Sequence, residues 1–283
     1  MNRVVEKMLI VVKPGDAEAS AVRSSMAAFL KGKGVAFDTC EHRPEACGEA
    51  DDVVGPYDLI VVLGGDGTFI GAARRLLRLE APFMGVNLGR VGFLAQLERD
   101  CWRPWLEQVL TDGVEVARRL VLTYEVLREG RAVHSGLFIN DLVISRGELA
   151  RLIRLRMSFD GVPVSSLRAD GLIVSTPTGS SAYGASAGGP LVHVGLAAYC
   201  VTPVCPFLSS FKPMVFPAEG RVAVCVEERQ AEVNLTEDGQ SATRLHFGDE
   251  VVLRKSGLDL LVAALGPEAY FEKLKKHGFL TER

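Results

Sequence analysis

The sequence is without several familiar signatures, and each absence removes a class. No Gly-x-x-x-x-Gly-Lys-Ser/Thr occurs, so the chain is not a P-loop nucleotidase. Gly65-x-Gly67-x-x-x-Gly71 is one residue too long for the Rossmann fingerprint. The acidic residue expected after a second strand is also missing, because Val86 leads into Asn87-Leu88-Gly89-Arg90, which disfavours a conventional dehydrogenase. The six cysteines (Cys40, Cys47, Cys101, Cys200, Cys205, Cys225) form no Cys-x-x-Cys, and the five histidines form no His-Glu-x-x-His. No protein-only metal site is therefore indicated, and the cysteines read as free thiols in a reducing compartment. No apolar run approaches the roughly 20 residues of a membrane helix. The run at residues 8–12 is too short for a signal-peptide core and lacks a cleavage pattern. A net charge of −3 argues against bulk nucleic-acid binding and gives no reason to dock on an anionic membrane. Internal repeats and low-complexity linkers are absent as well. A cytoplasmic protein, with neither nucleic acid nor membrane as partner, is expected.

What is present is an ordinary globular composition, 48% hydrophobic and 24% charged over 283 residues, enough for one large domain or two ordinary ones with real cores. The most informative stretch is Gly64-Gly65-Asp66-Gly67-Thr68, directly after the apolar run Leu59-Ile60-Val61-Val62-Leu63. That run reads as a buried strand, and the run at 69–79 that follows reads as a helix with Ile70, Ala73, Leu76 and Leu77 on one face. Backbone N–H groups at such a helix start favour anions, and glycine lets phosphate approach the backbone. A carboxylate there would repel phosphate, unless it accepts a proton from an attacking hydroxyl or holds Mg²⁺ between phosphates. The alternative is an Asx-turn, with Asp66 bonded to its own backbone.

Strands at 8–12, 35–39, 59–63 and 83–86, with helices between them, predict an α/β first domain with a parallel, Rossmann-like sheet. Asp16 is expected to cap a helix running to about Lys31, and residues 102–110 to form another. From about residue 116 the pattern becomes successive short strands. Residues 151–159 alternate apolar and polar before Asp160-Gly161, a hairpin signal, and the arginines among them read as a solvated strand face. The expected domains are 1–115, a β-rich 116–264, and a helical tail 265–283 that packs back on the first domain.

Four further segments carry chemistry. Residues 87–94 look like a second loop above the sheet, where open parallel sheets bind ligands. Asn140-Asp141 interrupts an apolar strand run and needs partners if buried; a sugar diol, an adenine edge or a bulge would satisfy it. Residues 170–183 run from a strand into a loop of hydroxyls and glycine and then into a helix, with Tyr183 placed to stack on a ring. Asp238-Gly239-Gln240 reads by itself as a turn. Gly184-Ala185-Ser186-Ala187-Gly188 matches the nucleophile elbow of serine hydrolases, but no strand precedes it and His193, His246 and His277 offer no distinctive partner.

Together these pieces resemble the NAD kinase family, in the family's order over most of the chain. The Gly-Gly-Asp-Gly element is shared with lipid kinases and phosphofructokinases, whereas Asn-Leu-Gly-Arg and Thr-Pro-Thr-Gly-Ser point to NAD kinase. The resemblance implies transfer of a terminal phosphate from ATP, with polyphosphate as an alternative donor and Mg²⁺ accompanying the nucleotide, to the 2′-hydroxyl of the adenosine ribose of NAD. By similarity Asp66 is the proton acceptor, Gly64, Gly65 and Thr68 belong to the phosphate loop, and Gly67 lies against the dinucleotide. The resemblance also places Asn140, Asp141, Arg151, Arg168, Asp170, Ser181, Ala182, Tyr183, Gly184, Ala185, Ser186 and Gln240 at the NAD site, and implies a homodimer or homotetramer. The sequence departs from the family at Asp141, where Glu is usual, at Ser181 for Thr, at Phe207 for His and at Lys212 for Arg. The rival readings are a non-catalytic NAD(P) sensor on the same fold, a lipid kinase and a serine hydrolase.

Overall fold

A computed structural model describes residues 2–42, 53–89, 92–148, 151–207 and 211–281. Cys47, Arg90 and Val91, and residues 208–210 between Phe207 and Lys212, lie outside the described residues. The chain divides into two compact units, Met1–Arg118 with Leu260–Arg283, and Arg119–Asp259.

The first unit opens with β1 (Lys7–Val12), α1 (Ala17–Lys33) and β2 (Ala36–Glu41). It continues through β3 (Leu59–Leu63), α2 (Asp66–Leu76), β4 (Phe83–Asn87), β5 (Leu97–Glu98), α3 (Trp102–Asp112) and β6 (Val116–Arg119). Every residue of β3 and β4 is buried, as continuous apolar runs in a parallel sheet covered on both faces should be. Asp16 caps α1 as expected, its carboxylate accepting from the N–H groups of Glu18 and Ala19. Ala19, Val22, Met26, Phe29 and Leu30 form the buried face of that helix. α2 begins at Asp66, earlier than the run at 69–79 suggested, and Leu77–Leu79 tightens into a 3₁₀ turn.

The second unit contains β7 (Leu122–Arg128), β8 (Arg131–Phe138), β9 (Asp141–Arg146), β10 (Ile153–Phe159), β11 (Val162–Ala169) and β12 (Gly171–Ser175). After the single turn α4 (Tyr183–Ser186) come β13 (Ala198–Val204), β14 (Met214–Pro217), β15 (Val222–Val226), β16 (Val233–Glu237), β17 (Ser241–Leu245) and β18 (Glu250–Lys255). These strands form two six-stranded sheets, β11-β10-β15-β18-β7-β8 and β14-β13-β12-β9-β16-β17. Inward residues of both sheets share one core, among them Tyr124, Leu155, Met157, Val174, Tyr199 and Val224, so the unit is a β-sandwich. Asp160 and Gly161, at φ 48° and 81°, join β10 to β11 in a two-residue turn, as the sequence predicted. The helix expected after the hydroxyl loop shrinks to α4, because Gly184, Gly188 and Gly189 follow so closely.

The chain then re-enters the first unit as β19 (Leu260–Ala263), parallel to β4, and α5 (Pro267–Lys276). The first sheet thereby acquires the order β2-β1-β3-β4-β19-β6, with β5 beside β4. Residues 260–263, grouped from sequence with the β-rich segment, pair instead with the parallel sheet.

Candidate active site

In the first unit, β3 ends at its carboxyl edge in Gly64-Gly65, and α2 starts at Asp66. Gly65 is the N-cap and supplies no side-chain cap, so the first N–H groups of α2 lack an acceptor from that side chain. Thr68 is buried and folds back on the loop; a Cβ on Gly64 would lie 2.8 Å from its Oγ1. Gly67 is exposed and Asp66 half-buried.

The Asp66 carboxylate does not form the Asx-turn. Oδ2 accepts from the N–H of Phe93 at 2.7 Å, and Oδ1 accepts from Leu94 at 3.0 Å and Ala95 at 2.8 Å. A Cβ at Gly92 would sit 2.1 Å from Oδ1, so only glycine lets this loop close on the carboxylate. Three of the roughly four acceptor positions of a carboxylate are thus occupied, and one remains on Oδ2.

The second unit holds a related cluster. The buried Asp238 carboxylate accepts from the N–H groups of Ile139 (2.9 Å), Asn140 (2.7 Å) and Asp141 (3.1 Å). Thr176 donates twice to this segment, its N–H to Asn140 O at 2.9 Å and its Oγ1 to Ile139 O. Gly179 donates to Thr176 Oγ1 at 3.2 Å, and a Cβ on Gly179 would lie 2.1 Å from Asn140 O. The hydroxyl loop is therefore pressed against the Asn140-Asp141 backbone. Asn140 Oδ1 and Thr178 Oγ1 are enclosed and without hydrogen-bond partners. Asp141 is 7% exposed, and its carboxyl is pushed up to about 7, chiefly by burial and secondarily by the Asp238 charge.

The remaining sequence-predicted residues divide between two ends of the strands: Gln240 and residues 181–186 follow the elements that carry this cluster, whereas Asp170 precedes β12 at the end opposite Ser175, the residue that pairs with Asp141. Tyr183 is 48% exposed on α4, Gly184 is buried close to Ser175 Oγ, and Ser186 is exposed. Ser181, Ala182 and Ala185 are half-buried beside them. Gln240 is exposed in the hairpin after Asp238, its N–H bonded to Glu237 O. At the bend from β11 to β12, Asp170 pairs with Arg146 at 2.7 Å, and the exposed Arg168 guanidinium lies 5.8 Å over the Phe207 ring. The Phe207 ring thus faces a cation, and Lys212 is exposed. Arg151 is exposed just ahead of β10. Before Gly184 stands a 3₁₀ turn, Gly179–Ser181, and not the strand that a nucleophile elbow requires.

Sequence reasoning missed two groups. The N–H donors of residues 93–95 carry no side-chain signal, although Gly92 beside them marks a close approach. Asp238 reads as turn chemistry, and its φ of 50° agrees, but its carboxylate anchors residues 139–141 across the sheet.

Comparison with known proteins finds relatives along the whole chain. The family model for the ATP-NAD kinase N-terminal domain matches residues 41–114, and that for the ATP-NAD kinase C-terminal domain matches residues 139–263. An NAD kinase of Nitratidesulfovibrio vulgaris (strain Miyazaki F) is 45% identical, with all of both chains covered. An NAD kinase of Geobacter sulfurreducens is 36% identical, over 96% of this chain and 97% of its own. Among solved structures, an Archaeoglobus fulgidus NAD kinase in complex with ATP superposes with a TM-score of 0.76 at 25% identity, covering 97% of this chain and 100% of that one. Yeast NADH kinase complexed with NADH shares the fold, with a TM-score of 0.86 at 21% identity, covering 100% of this chain and 90% of that one. With two domain models matched in order and full-length relatives at such identity, the chain belongs to the NAD kinase family.

Proposed function

We propose that this chain transfers the terminal phosphoryl group of ATP to the 2′-hydroxyl of the adenosine ribose of NAD, giving NADP, with Asp66 as general base. The observation that carries the reading is the Asp66 carboxylate, fixed by three N–H groups at the start of α2 with one acceptor position left on Oδ2. A ribose hydroxyl is a poor nucleophile at neutral pH, and a held carboxylate within hydrogen-bond reach takes its proton as the P–O bond forms. The N–H groups of α2, with Gly64, Gly65 and Thr68 shaping the turn, suit phosphate oxygens. Asn140 Oδ1 and Thr178 Oγ1 are enclosed and unpartnered in the segments that the resemblance assigns to the dinucleotide.

Mg²⁺ fits as a companion of the nucleotide. Among the described residues no group of three or more His, Cys, Asp or Glu side chains could hold a metal, so phosphate oxygens would supply most of its ligands. When bound it neutralises phosphate charge. The remaining NAD contacts are assigned to Asp141, Arg151, Arg168, Asp170, Gly67, Gln240 and residues 181–186, on the strength of the family resemblance. That resemblance also supports a homodimer or homotetramer. The acidic net charge of −3 suits a cytoplasmic enzyme without a nucleic-acid partner. Among the described residues no helix is long and apolar enough to cross a membrane.

The test is NADP formation by the purified protein from NAD, ATP and Mg²⁺, read with an NADP-specific dehydrogenase. NADP is expected, and EDTA is expected to stop its formation. NAD binding without turnover would replace the kinase reading with the sensor, and formation with polyphosphate alone would replace ATP as the donor.

A further inference from the structure

Phe93 is tied through both of its backbone polar groups. Its N–H donates to Asp66 Oδ2 at 2.7 Å, while its carbonyl accepts from Lys273 Nζ of α5 at 3.1 Å. The Phe93 ring packs on the His277 ring at 4.6 Å, tilted 35°, and meets the Phe279 ring edge-on at 5.9 Å. The turn that ends α5 fixes those two rings. His277 N–H donates to Lys273 O, Phe279 N–H donates to Leu274 O, and Gly278 at φ 76° reverses the chain between them. Leu274, 4% exposed, anchors the same helix in the unit.

We infer that α5 and the turn after it are a positioning element for the base, with Lys273 and His277 as positioning residues that act through Phe93. A carboxylate held by three loop N–H groups is placed only as well as that loop is placed. The loop contains Gly92, half-exposed residues and little regular structure, so local propensity does not fix it. The ammonium on the Phe93 carbonyl and the rings on its side chain supply that restraint from a helix. The Asp66 carboxylate is bonded by the loop N–H groups, and the effect of α5 reaches it through Phe93. The inference rests on Asp66 being the base.

The experiment uses the full chain with Lys273→Met, Lys273→Arg, His277→Ala and, as a control on the same helix, Lys276→Met. Lys276 bridges Glu98 at 2.7 Å, beyond the loop. Lys273→Met is expected to lower kcat roughly 10- to 100-fold, the scale of a displacement near 1 Å, with KM for ATP unchanged. Lys273→Arg restores a donor and is expected to recover most of that loss, His277→Ala to show a smaller loss, and Lys276→Met to stay within about twofold of wild type. Amide exchange at Phe93, Leu94 and Ala95 is expected to quicken in Lys273→Met while α1 exchanges as before, a readout that a general loss of stability would not give. Wild-type kcat and wild-type exchange in Lys273→Met and His277→Ala, with Asp66→Asn inactive, would overturn the inference alone. An active Asp66→Asn would overturn the reading beneath it. If Lys273→Met does not fold, His277→Ala carries the same comparison.

Discussion

Both units fix a loop in the same way and expose the result differently. In the first, the Asp66 carboxylate collects the N–H groups of residues 93–95, and Gly92 makes room for the approach. In the second, the Asp238 carboxylate collects the N–H groups of residues 139–141, and Gly179 makes room for the hydroxyl loop. The difference lies in burial. Asp66 is half-buried at the start of a helix, whereas Asp238 is 8% exposed and has Asp141, 7% exposed, beside it. A carboxylate that keeps an accessible acceptor is able to do proton chemistry. One that is enclosed serves as scaffold, here for the backbone of residues 139–141.

The largest effect expected on this comparison comes from Asp66→Asn. It should lower kcat by roughly 10²–10⁴-fold, the scale of general-base loss, in steady-state assays of NADP formation. Gly92→Ala should follow at roughly 10- to 100-fold in kcat, because the new Cβ drives the loop off Oδ1, with KM for ATP little changed. Asp238→Ala attacks the scaffold: three N–H groups, two of them buried, lose their acceptor, offset in part by the repulsion removed from Asp141. A net cost of about 3 kcal/mol, read as a fall of roughly 10 °C in thermal midpoint, is expected.

The smallest effect is a pH dependence. Burial raises the Asp141 carboxyl to about 7, so the folded chain holds that proton more tightly than the unfolded chain does. Its contribution to stability is therefore complete below the ordinary carboxylate range and is lost as pH rises through about 7. Asp141→Asn has no proton to lose. Its thermal midpoint should gain on wild type by a few degrees between about pH 5 and about pH 8 in calorimetric scans, and a constant gap across that range would remove the buried-carboxyl explanation.

Much of the fold was legible in the sequence because burial writes itself into residue type. The apolar run at 59–63 gave β3 residue for residue, and the alternation at 153, 155 and 157 marked the inward face of β10. Asp16 and Asp160-Gly161 announced a helix start and a hairpin through local chemistry that needs no tertiary partner. Candidate site residues stand out in the sequence where a polar side chain interrupts an apolar run, at Asp66 and at Asn140-Asp141. They do not stand out where backbone does the work. Nothing in the identities of Phe93, Leu94 and Ala95 says that their N–H groups converge on a carboxylate 27 to 29 residues earlier. Asp238 was hidden for the opposite reason: its turn geometry is real, and it masks a long-range anchor. The extent of the helix after residue 178 was misjudged because small residues permit a helix without requiring one.

The central claim, one aspartate for chemistry and one for scaffold, is tested most directly by measuring kcat and thermal midpoint of Asp66→Asn and Asp238→Asn side by side under one buffer. The account predicts opposite responses: Asp66→Asn loses turnover by 10²-fold or more with a midpoint within a few degrees of wild type, and Asp238→Asn loses stability while keeping most of its kcat at a temperature where it is folded. Wild-type kcat in Asp66→Asn, or both variants failing on the same readout, would contradict it.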